Sequence, residues 1–548
     1  MFINKKTELF DNTKSANTKS TNAFVNAGLK EEAKTLSGNG ALKYDKHSNE
    51  FVTQFNMLGT YREPRTFDQI SKDQELLWSD NPLLTVKFSV FLRMITRNTN
   101  DIFGNSFNST QKGGELKHEG IMRMIWLHTK DQDAFWKNIT LFITAGSWKD
   151  IFTMLRYDLI YNGWENRVLN WNKFGNLIVN GLNNDNQCDL VKKYLPTIKS
   201  KNKCKTIDAQ ANNIIGKWVA SLLFDNYTYV NYRKMKSSGT AHSWQQLISK
   251  GKHELIDFDK IHGRALNLLV RSNYLDNQNL RDKYAKWVGD ESTEVKYTGF
   301  VHELFSNLPT SLHYINSETQ MTINKQFDTL VNKVESRNTS LIVVRDTSGS
   351  MKSTATGTNM TSYDVAKSIA LYFSAMLKGH FSDAWIEFNS NAKMHTWKGN
   401  TVLEKWYNDN SSYVGSTNFL SVIKLFVSLR NQGISESEFP TGILCISDGE
   451  FNPGQLGKTN VESAKQLLIN GGFSEEYVNN FVICLWNIPN YYYSNSKPKF
   501  ETFEDVSNVF YMSGYSASIV SFLMNDIKNA SELFTEAMNQ ELLSLIKL

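Results

Sequence analysis

Apolar side chains recur at every third or fourth position through most of the first two thirds of the chain. Residues 83–95 show this spacing most clearly, and it returns at 121–127, 135–143, 148–157 and 265–270. Such spacing is typical of amphipathic helices and not of strands, in which apolar and polar positions alternate. Many helices of middling length separated by short breaks predict an α-helical repeat of the solenoid type, although no strict repeat period is present.

The pattern changes near residue 338. From there, short continuous apolar runs such as 341–344, 384–388 and 443–447 alternate with helical segments such as 419–429. This alternation predicts a mostly parallel sheet with both faces covered, which is a doubly wound α/β domain. The predicted divisions are an N-terminal arm at 1–48, a helical-repeat domain at 49–336, and an α/β domain with C-terminal helices at 337–548.

The first 48 residues are rich in Lys, Asn, Ser and Thr and poor in large apolar groups. Such a segment buries too little surface to offset the entropy lost on ordering. We therefore predict a flexible arm, with a short helix near residues 23–36.

The composition excludes some classes of protein. Of the 548 residues 41% are hydrophobic, which excludes global disorder, and the net charge of +5 is too small for a uniformly basic nucleic-acid binder. The four cysteines form no CxxC pair, so neither a disulfide framework nor a zinc site is indicated. Without a signal-peptide pattern or an apolar run of about 18 residues, we expect a cytoplasmic protein that has no membrane segment.

Oxygen-bearing side chains follow the predicted strands of the α/β domain. Asp346, Ser348 and Ser350 come directly after the first apolar run, Thr417 precedes a helix, and Asp448 ends another apolar run. In open α/β sheets, ligands bind beyond the carboxyl ends of the strands. Because this set contains oxygen donors and no His or Cys, it predicts a site for Mg²⁺ or another hard divalent cation.

This set resembles the metal-ion-dependent adhesion site of von Willebrand factor A domains, which has the same D-x-S-x-S turn, a Thr from a second loop and an Asp from a third. The resemblance implies that the five residues hold the metal and leave one position for an outside carboxylate or phosphate oxygen. Gly349 is expected to give the turn its conformational freedom. Arg345 departs from the apolar or small residue usual before the first Asp, and we expect it to point away from the core.

A helical region followed by an α/β domain of this type resembles the TROVE proteins, the family of the Ro autoantigen. Over about residues 51–525 the resemblance implies a ring of helical repeats closed by the α/β domain. It further implies a non-enzymatic protein that binds small structured RNAs or the ends of misfolded RNAs. Leu116 and Lys117 stand where the family often has Arg. The matching segments are Gly113-Gly114-Glu115, Ala145-Gly146-Ser147-Trp148-Lys149-Asp150, Gly216-Lys217-Trp218, Tyr232-Arg233-Lys234 and Ser243-Trp244.

Clustered cations with nearby aromatic residues suit RNA, since cations neutralise phosphates and aromatic rings stack on unpaired bases. The alternative is that the lysines are only a solvated surface and the tyrosines pack in the core. The candidate RNA-binding residues are Lys192, Lys193, Lys199, Lys201, Lys203, Lys205, Tyr232, Arg233 and Lys234.

No catalytic set is evident, so we predict that the protein is not an enzyme. The His-Glu pairs at 118, 253 and 302 lack the second His of a zinc protease, and Asn452 stands where a phosphate loop ending at Gly457-Lys458-Thr459 needs its first Gly. Two alternatives to RNA binding stay open. One is a metal-dependent protein-interaction module that grips an acidic residue of a protein ligand. The other is a structural or cargo component of a phage or virion, because the chain is rich in Asn and Lys and contains only 8 Pro.

Overall fold

The structure is a computed structural model. It describes residues 34–36, 42–44, 49–95, 107–199, 204–224, 229–238, 244–271, 273–297, 299–332, 341–376, 381–411, 415–449, 451–456, 458–490, 507–515 and 529–548.

Most of the predicted N-terminal arm lies outside these described residues. The exceptions are β1 (Lys34–Leu36) and β2 (Leu42–Tyr44), which pair as antiparallel strands. The helix predicted near 23–36 is therefore wrong at its C-terminal end, where the backbone hydrogen bonds go to a partner strand. Gly38 and Gly40 lie between the two strands in the sequence and favour a reversal of the chain.

The regular secondary structure of the described chain from residue 50 to residue 332 is helical, as the apolar spacing predicted. None of the described helices is long and apolar enough to cross a membrane. Their bounds are α1 (Glu50–Asn56), α2 (Phe67–Asp80), α3 (Pro82–Arg93), α4 (Lys117–Lys130), α5 (Gln132–Ala145), α6 (Trp148–Asn162), α7 (Trp171–Leu182), α8 (Cys188–Tyr194), α9 (Ile207–Leu223), α10 (Tyr229–Ser237), α11 (Trp244–Ser249), α12 (Gly263–Arg271), α13 (Gln278–Gly289) and α14 (Ser317–Asn332).

Helix starts in this region are set by polar side chains. Thr66 and Gln69 form a capping box at the start of α2, and the Asn81 side chain accepts from the amide of Leu84 at the start of α3. Consecutive helices pack on each other, as α3 does on α4 and α4 on α5. Farther along, α8 packs on α6 and α7, and α10 packs on α8. Each of these helices therefore packs on a neighbouring helix and is not an isolated segment.

From residue 341 onward, strands and helices alternate. The elements are β3 (Leu341–Asp346), α15 (Ser362–Met376), β4 (Ala384–Phe388), β5 (Ala392–Thr396), α16 (Val402–Tyr407), α17 (Leu420–Asn431), β6 (Gly442–Ser447), α18 (Asn460–Asn470), α19 (Glu475–Asn480), β7 (Val482–Asn487), β8 (Val509–Ser513), α20 (Ala530–Met538) and α21 (Glu541–Ser544).

In the described residues these strands form one six-stranded sheet of order β5-β4-β3-β6-β7-β8. All neighbours are parallel except β4 and β5, which are antiparallel. The prediction of a mostly parallel sheet is confirmed, whereas β5 was not predicted. Because the strand order runs outward in both directions from β3 and β6, a crevice is expected between their carboxyl ends.

Both faces of the central strands β3 and β6 are buried. On one face, Ile342 and Val344 of β3 pack with apolar residues of α17 and α18. On the other face, Leu341 and Val343 belong to a cluster that contains α15 and continues into the core of the N-terminal helices. The helical region and the sheet therefore share a hydrophobic core.

The two C-terminal helices pack against the N-terminal helices. The Phe534 ring of α20 lies 5.8 Å from the ring centroids of both Phe51 and Phe88. The Lys547 amide donates to Asn138 Oδ1 at 3.0 Å, so the C-terminus is attached to α5. The predicted α/β segment 337–548 thus ends on the helical region, a long-range contact that the local sequence pattern does not encode.

Arg345 is buried, and the expectation that it points away from the core is wrong. Its Nη2 atom donates to Asp409 Oδ2 and to the Tyr363 hydroxyl, both at 2.9 Å. Its guanidinium lies 4.2 Å from the ring centroid of Trp385. Burial would raise the pKa of Asp409, but the charges of Arg345 and Lys367 outweigh it and hold that pKa well below its usual range. A buried ion pair with an aromatic neighbour therefore replaces the usual apolar contact.

Replacing Asp409 by Asn should destabilise the protein by about 3–5 kcal/mol, because Arg345 would stay buried without its charged partner. Denaturation followed by circular dichroism measures the change. Asp383→Asn is the matched control, since Asp383 pairs with Lys405 at 2.7 Å but its side chain is 38% exposed. That control should cost about 1 kcal/mol or less. Equal losses in the two variants would contradict this account of Arg345.

Candidate metal centre and basic surface

Five oxygen-bearing residues lie at the carboxyl edge of the sheet, and we call them the loop cluster: Asp346, Ser348, Ser350, Thr417 and Asp448. Asp346 ends β3 and Asp448 directly follows β6, the adjacent parallel strand. Ser348 and Ser350 lie in the turn after β3, and Thr417 precedes α17. The side chains of both acids are buried, with Asp346 0% and Asp448 7% exposed. The crevice predicted from the strand order therefore holds two carboxylates.

The turn after β3 folds back on the Asp346 carboxylate. Its Oδ1 accepts from the Ser348 amide at 2.8 Å, and its Oδ2 accepts from the Ser447 hydroxyl at 2.6 Å. The Ser348 and Ser350 hydroxyl oxygens are 3.1 Å apart. These contacts bring one carboxylate and two hydroxyls of the D-x-S-G-S turn into a single group.

Asn490, just after β7, connects this turn to the second acid. Its Nδ2 donates to Asp448 Oδ2 at 2.9 Å and to the Ser350 carbonyl at 3.3 Å. The loops after three neighbouring strands are therefore tied together at one edge of the sheet.

The loop of Thr417 joins the cluster through its backbone. The Gly349 amide donates to the Gly415 carbonyl at 3.4 Å, and the Asn452 amide donates to the Thr417 carbonyl at 2.7 Å. Gly415 has a φ of +100°, which favours glycine. Gly349 has no such φ, and a Cβ there would meet nothing within 4 Å. The expectation that Gly349 supplies the turn's conformational freedom is therefore wrong, since the conformation requires glycine at Gly415 instead.

The electrostatics of the cluster are unfavourable to two ionised acids. Burial, and next the charge of Asp448, raises the pKa of Asp346 to about 7, although hydrogen bonds from Ser447 and Ser348 lower it in part. Desolvation and a like charge both disfavour the ionised carboxylate. A cation between the acids would replace this repulsion by attraction.

The donor set fits a hard divalent cation. In the described part of the chain, no three His, Cys, Asp or Glu side chains come together as ligands. A metal would therefore depend on two carboxylates supplemented by the hydroxyls of Ser348, Ser350 and Thr417. All-oxygen donor sets of this kind suit Mg²⁺ or Ca²⁺ and do not suit zinc.

Two polar residues of this site were missed at the sequence level. Ser447 donates to Asp346, and Asn490 donates to Asp448. Ser447 ends β6 and Asn490 lies three residues beyond the end of β7. A search for polar side chains after every predicted strand would have found both of them.

We call the exposed or half-buried cations of this region the basic surface: Lys192, Lys193, Lys199, Lys205, Arg233 and Lys234. The first two lie on α8 and the last two on α10, which packs on α8. The Lys236 Nζ donates to the Leu195 carbonyl and, at 2.7 Å, to the Thr197 hydroxyl. These hydrogen bonds hold α10 against the turn after α8, so two basic segments that are separate in the sequence lie close together. Lys201 and Lys203 lie outside the described residues.

Tyr232 does not present its ring on this surface. The residue is 1% exposed, and its hydroxyl donates to the Pro196 carbonyl at 2.8 Å. The expectation that this ring stacks on a base is wrong for this conformation, because the ring fixes α10 to the turn after α8. The position of a tyrosine close to lysines in the sequence does not show whether its ring is buried or exposed.

The fold and the loop cluster define an α/β domain with a candidate metal site at its carboxyl edge. In comparison with known families, residues 340–543 match a domain of unknown function, DUF7788. The match begins next to β3 and ends in α21, so it takes in the sheet and the helix α20 that packs on the N-terminal region. A search of curated proteins found no match.

Replacing Asp346 by Ala should abolish Mg²⁺ binding, because it removes one of the two carboxylates. Excess Mg²⁺ should then raise the melting temperature of the native protein but not that of the variant. A ligand that binds only the folded state stabilises it by about 2.7 kcal/mol at about one hundred times its Kd. Thermal unfolding with Mg²⁺ or with a chelator measures the effect.

Glu436→Gln is the matched control. Glu436 binds Ser474 near the amino end of β6, opposite the loop cluster, so this variant should keep the Mg²⁺ response. Calorimetry that detects neither Mg²⁺ nor Mn²⁺ binding to the native protein would refute the metal site.

Proposed function

We propose that this chain is a non-enzymatic, cytoplasmic RNA-binding protein similar to the TROVE proteins. In this proposal a helical-repeat region binds small structured or misfolded RNA. The C-terminal part is a von Willebrand factor A-type domain that holds Mg²⁺ in the loop cluster. The proposal depends on one observation: α8 and α10, which each carry basic residues from separate parts of the sequence, pack on each other.

The basic surface supports RNA as the ligand because few acidic residues lie near its lysines and arginine in the sequence. Between residues 192 and 205 the chain has six lysines and no acid. Arg233 and Lys234 add two exposed cations from α10. Phosphates neutralised by such a surface release counterions, which gives binding a strong dependence on salt.

Two of the segments that resemble the TROVE family, 113–115 and 145–150, support the architecture of the proposal through their packing. The Asp150 carboxylate accepts from the Ser147 amide at 2.9 Å and pairs with Arg93 at 2.8 Å, and both acid and arginine are buried. Gly113 lies so close to Met94 that a side chain there would clash. These motif residues join α3 to the starts of α4 and α6.

The loop cluster supports the von Willebrand factor A part of the proposal. Its D-x-S-G-S turn, its Thr loop and its second Asp come from the ends of adjacent strands or the start of a helix. When bound, Mg²⁺ would supply positive charge for an outside carboxylate or phosphate oxygen. Asp346 and Asp448 would hold the cation, and Ser447 and Asn490 would orient those two carboxylates.

The same loop cluster favours a second candidate function, a metal-dependent protein-interaction module. In that case an acidic residue of a partner would complete the metal site, and the helical region would be scaffold. RNA that co-purifies with the protein without nuclease treatment would favour the first function. Absorbance at 260 and 280 nm distinguishes the two.

Changing Lys192, Lys193, Lys199 and Lys205 to Gln should weaken RNA binding alike for all sequences. It should also lower the slope of log affinity against log salt by up to about 3, because each lost phosphate contact contributes roughly 0.7 on single strands. Fluorescence anisotropy with labelled RNA at several salt concentrations measures both quantities.

A control variant with the same number of lost charges is Lys72, Lys286, Lys296 and Lys398 to Gln, all exposed positions outside the basic surface. It should change affinity and salt slope much less. Asp346→Ala should leave RNA affinity nearly unchanged. RNA binding that falls as far in Asp346→Ala as in the lysine variant would overturn this separation of roles.

A further inference from the structure

An exposed aromatic segment begins on the last turns of α6. Tyr161 is 68% exposed and Trp164 is 39% exposed. By contrast, Trp148 at the start of the same helix is 1% exposed. Large rings are normally buried, so neighbouring exposed rings point to a contact surface.

The segment after α6 is held firmly by a buried carboxylate. Asp158, 3% exposed, accepts from the amides of Val168 and Leu169 at 3.0 and 3.1 Å. It also accepts from the indole Nε1 of Trp171 at 2.8 Å. Because the loop that carries Trp164 is fixed at its far end, this ring is presented with little ordering cost on binding.

Two cations flank three aromatic rings along this edge of α6 and the loop after it. The Tyr157 and Tyr161 ring centroids are 6.0 Å apart, and the Arg156 guanidinium lies 5.8 Å from the Tyr157 ring. Beyond the helix, the Arg167 guanidinium lies 3.6 Å from the Trp164 ring centroid. We call Tyr157, Tyr161 and Trp164 the aromatic row.

The aromatic row adjoins the basic surface. Arg156 Nε lies 3.2 Å from Asp208 Oδ1 on the first turn of α9. Asp208 is three residues from Lys205, which belongs to the basic surface. Arg156 therefore connects the row to the part of the chain that carries Lys205.

We propose that the aromatic row binds unpaired bases of single-stranded RNA. Tyr161 and Trp164 stack on the bases, and Arg156 faces the phosphates. Arg167 covers one face of Trp164, and the Trp171 ring centroid lies 5.3 Å from that of Trp164, so a base stacks on the part of the ring that stays exposed or on the guanidinium plane of Arg167. This inference rests on the proposed RNA-binding function and names which part of an RNA the row accepts.

The surroundings of the row favour RNA over a protein partner. Tryptophan, tyrosine and arginine also mark protein-interface hot spots, but those occupy desolvated apolar pockets. Here the exposed neighbours are Gly163, Glu165, Asn166 and one apolar residue, Val168, and two arginines flank the rings. Stacking with nearby cations is the usual basis of single-strand binding.

The test uses the full chain with labelled oligouridine and with a duplex of the same length. Trp164→Ala and, separately, Tyr161→Ala should each raise the Kd for oligouridine by roughly five- to a hundredfold, as loss of one stacked base does. Binding to duplex should stay within about twofold, since paired bases offer no free face. Trp164→Phe should retain most of the affinity.

Tyr314→Ala is the control, because Tyr314 is 76% exposed and lies outside the row. It should leave both affinities unchanged. If the native protein binds no RNA, the proposed function fails and takes this inference with it. If the native protein binds oligouridine and neither Trp164→Ala nor Tyr161→Ala weakens that binding, only this inference is overturned. The aromatic row would then be assigned to a protein partner. Equal losses on oligouridine and duplex would overturn base stacking.

Discussion

Two buried carboxylates at the ends of adjacent strands are the constraint around which the carboxyl edge of the sheet is organised. Asp346 and Asp448 repel each other, and burial adds to the cost of ionising both. Hydrogen bonds from Ser447 and Asn490 offset part of this cost. A proton on Asp346 or a cation between the two acids would relieve the remaining repulsion. The loops after β3, β6 and β7 are tied together here by hydrogen bonds to these carboxylates and to the turn after β3.

The same central strand carries the opposite charge on its other face. Arg345 immediately precedes Asp346, and since side chains alternate across a strand, it lies on the face that shares a core with the N-terminal helices. There Asp409 neutralises it, and Trp385 covers its guanidinium. Strand β3 therefore separates a buried cation from a buried anion by its own backbone. The packing on Arg345 fixes the strand whose end positions Asp346.

Local patterns in the sequence predicted the features that depend on local physics. Apolar spacing predicted the helices and the parallel strands, and strand ends predicted the residues of the loop cluster. The features that were missed depend on distant partners. Asp409, which forms a buried ion pair with Arg345, lies 64 residues away from it in the sequence. Asn138, which accepts a hydrogen bond from Lys547 near the C-terminus, lies 409 residues from that partner. The edge strand β5 was missed because its sequence, AKMHT, has little apolar character.

The separation of the two proposed sites follows from which elements carry them. The basic surface and the aromatic row lie on α6, α8 and α10 and the turns around them, and α8 packs on α6 and α7. The loop cluster is carried by β3, β6 and the loop before α17. Any effect of a bound cation on RNA affinity would have to pass through the core shared by helices and sheet, and it would be reciprocal. If the packing of that core is the same with and without the cation, the two proposed sites would bind their ligands independently.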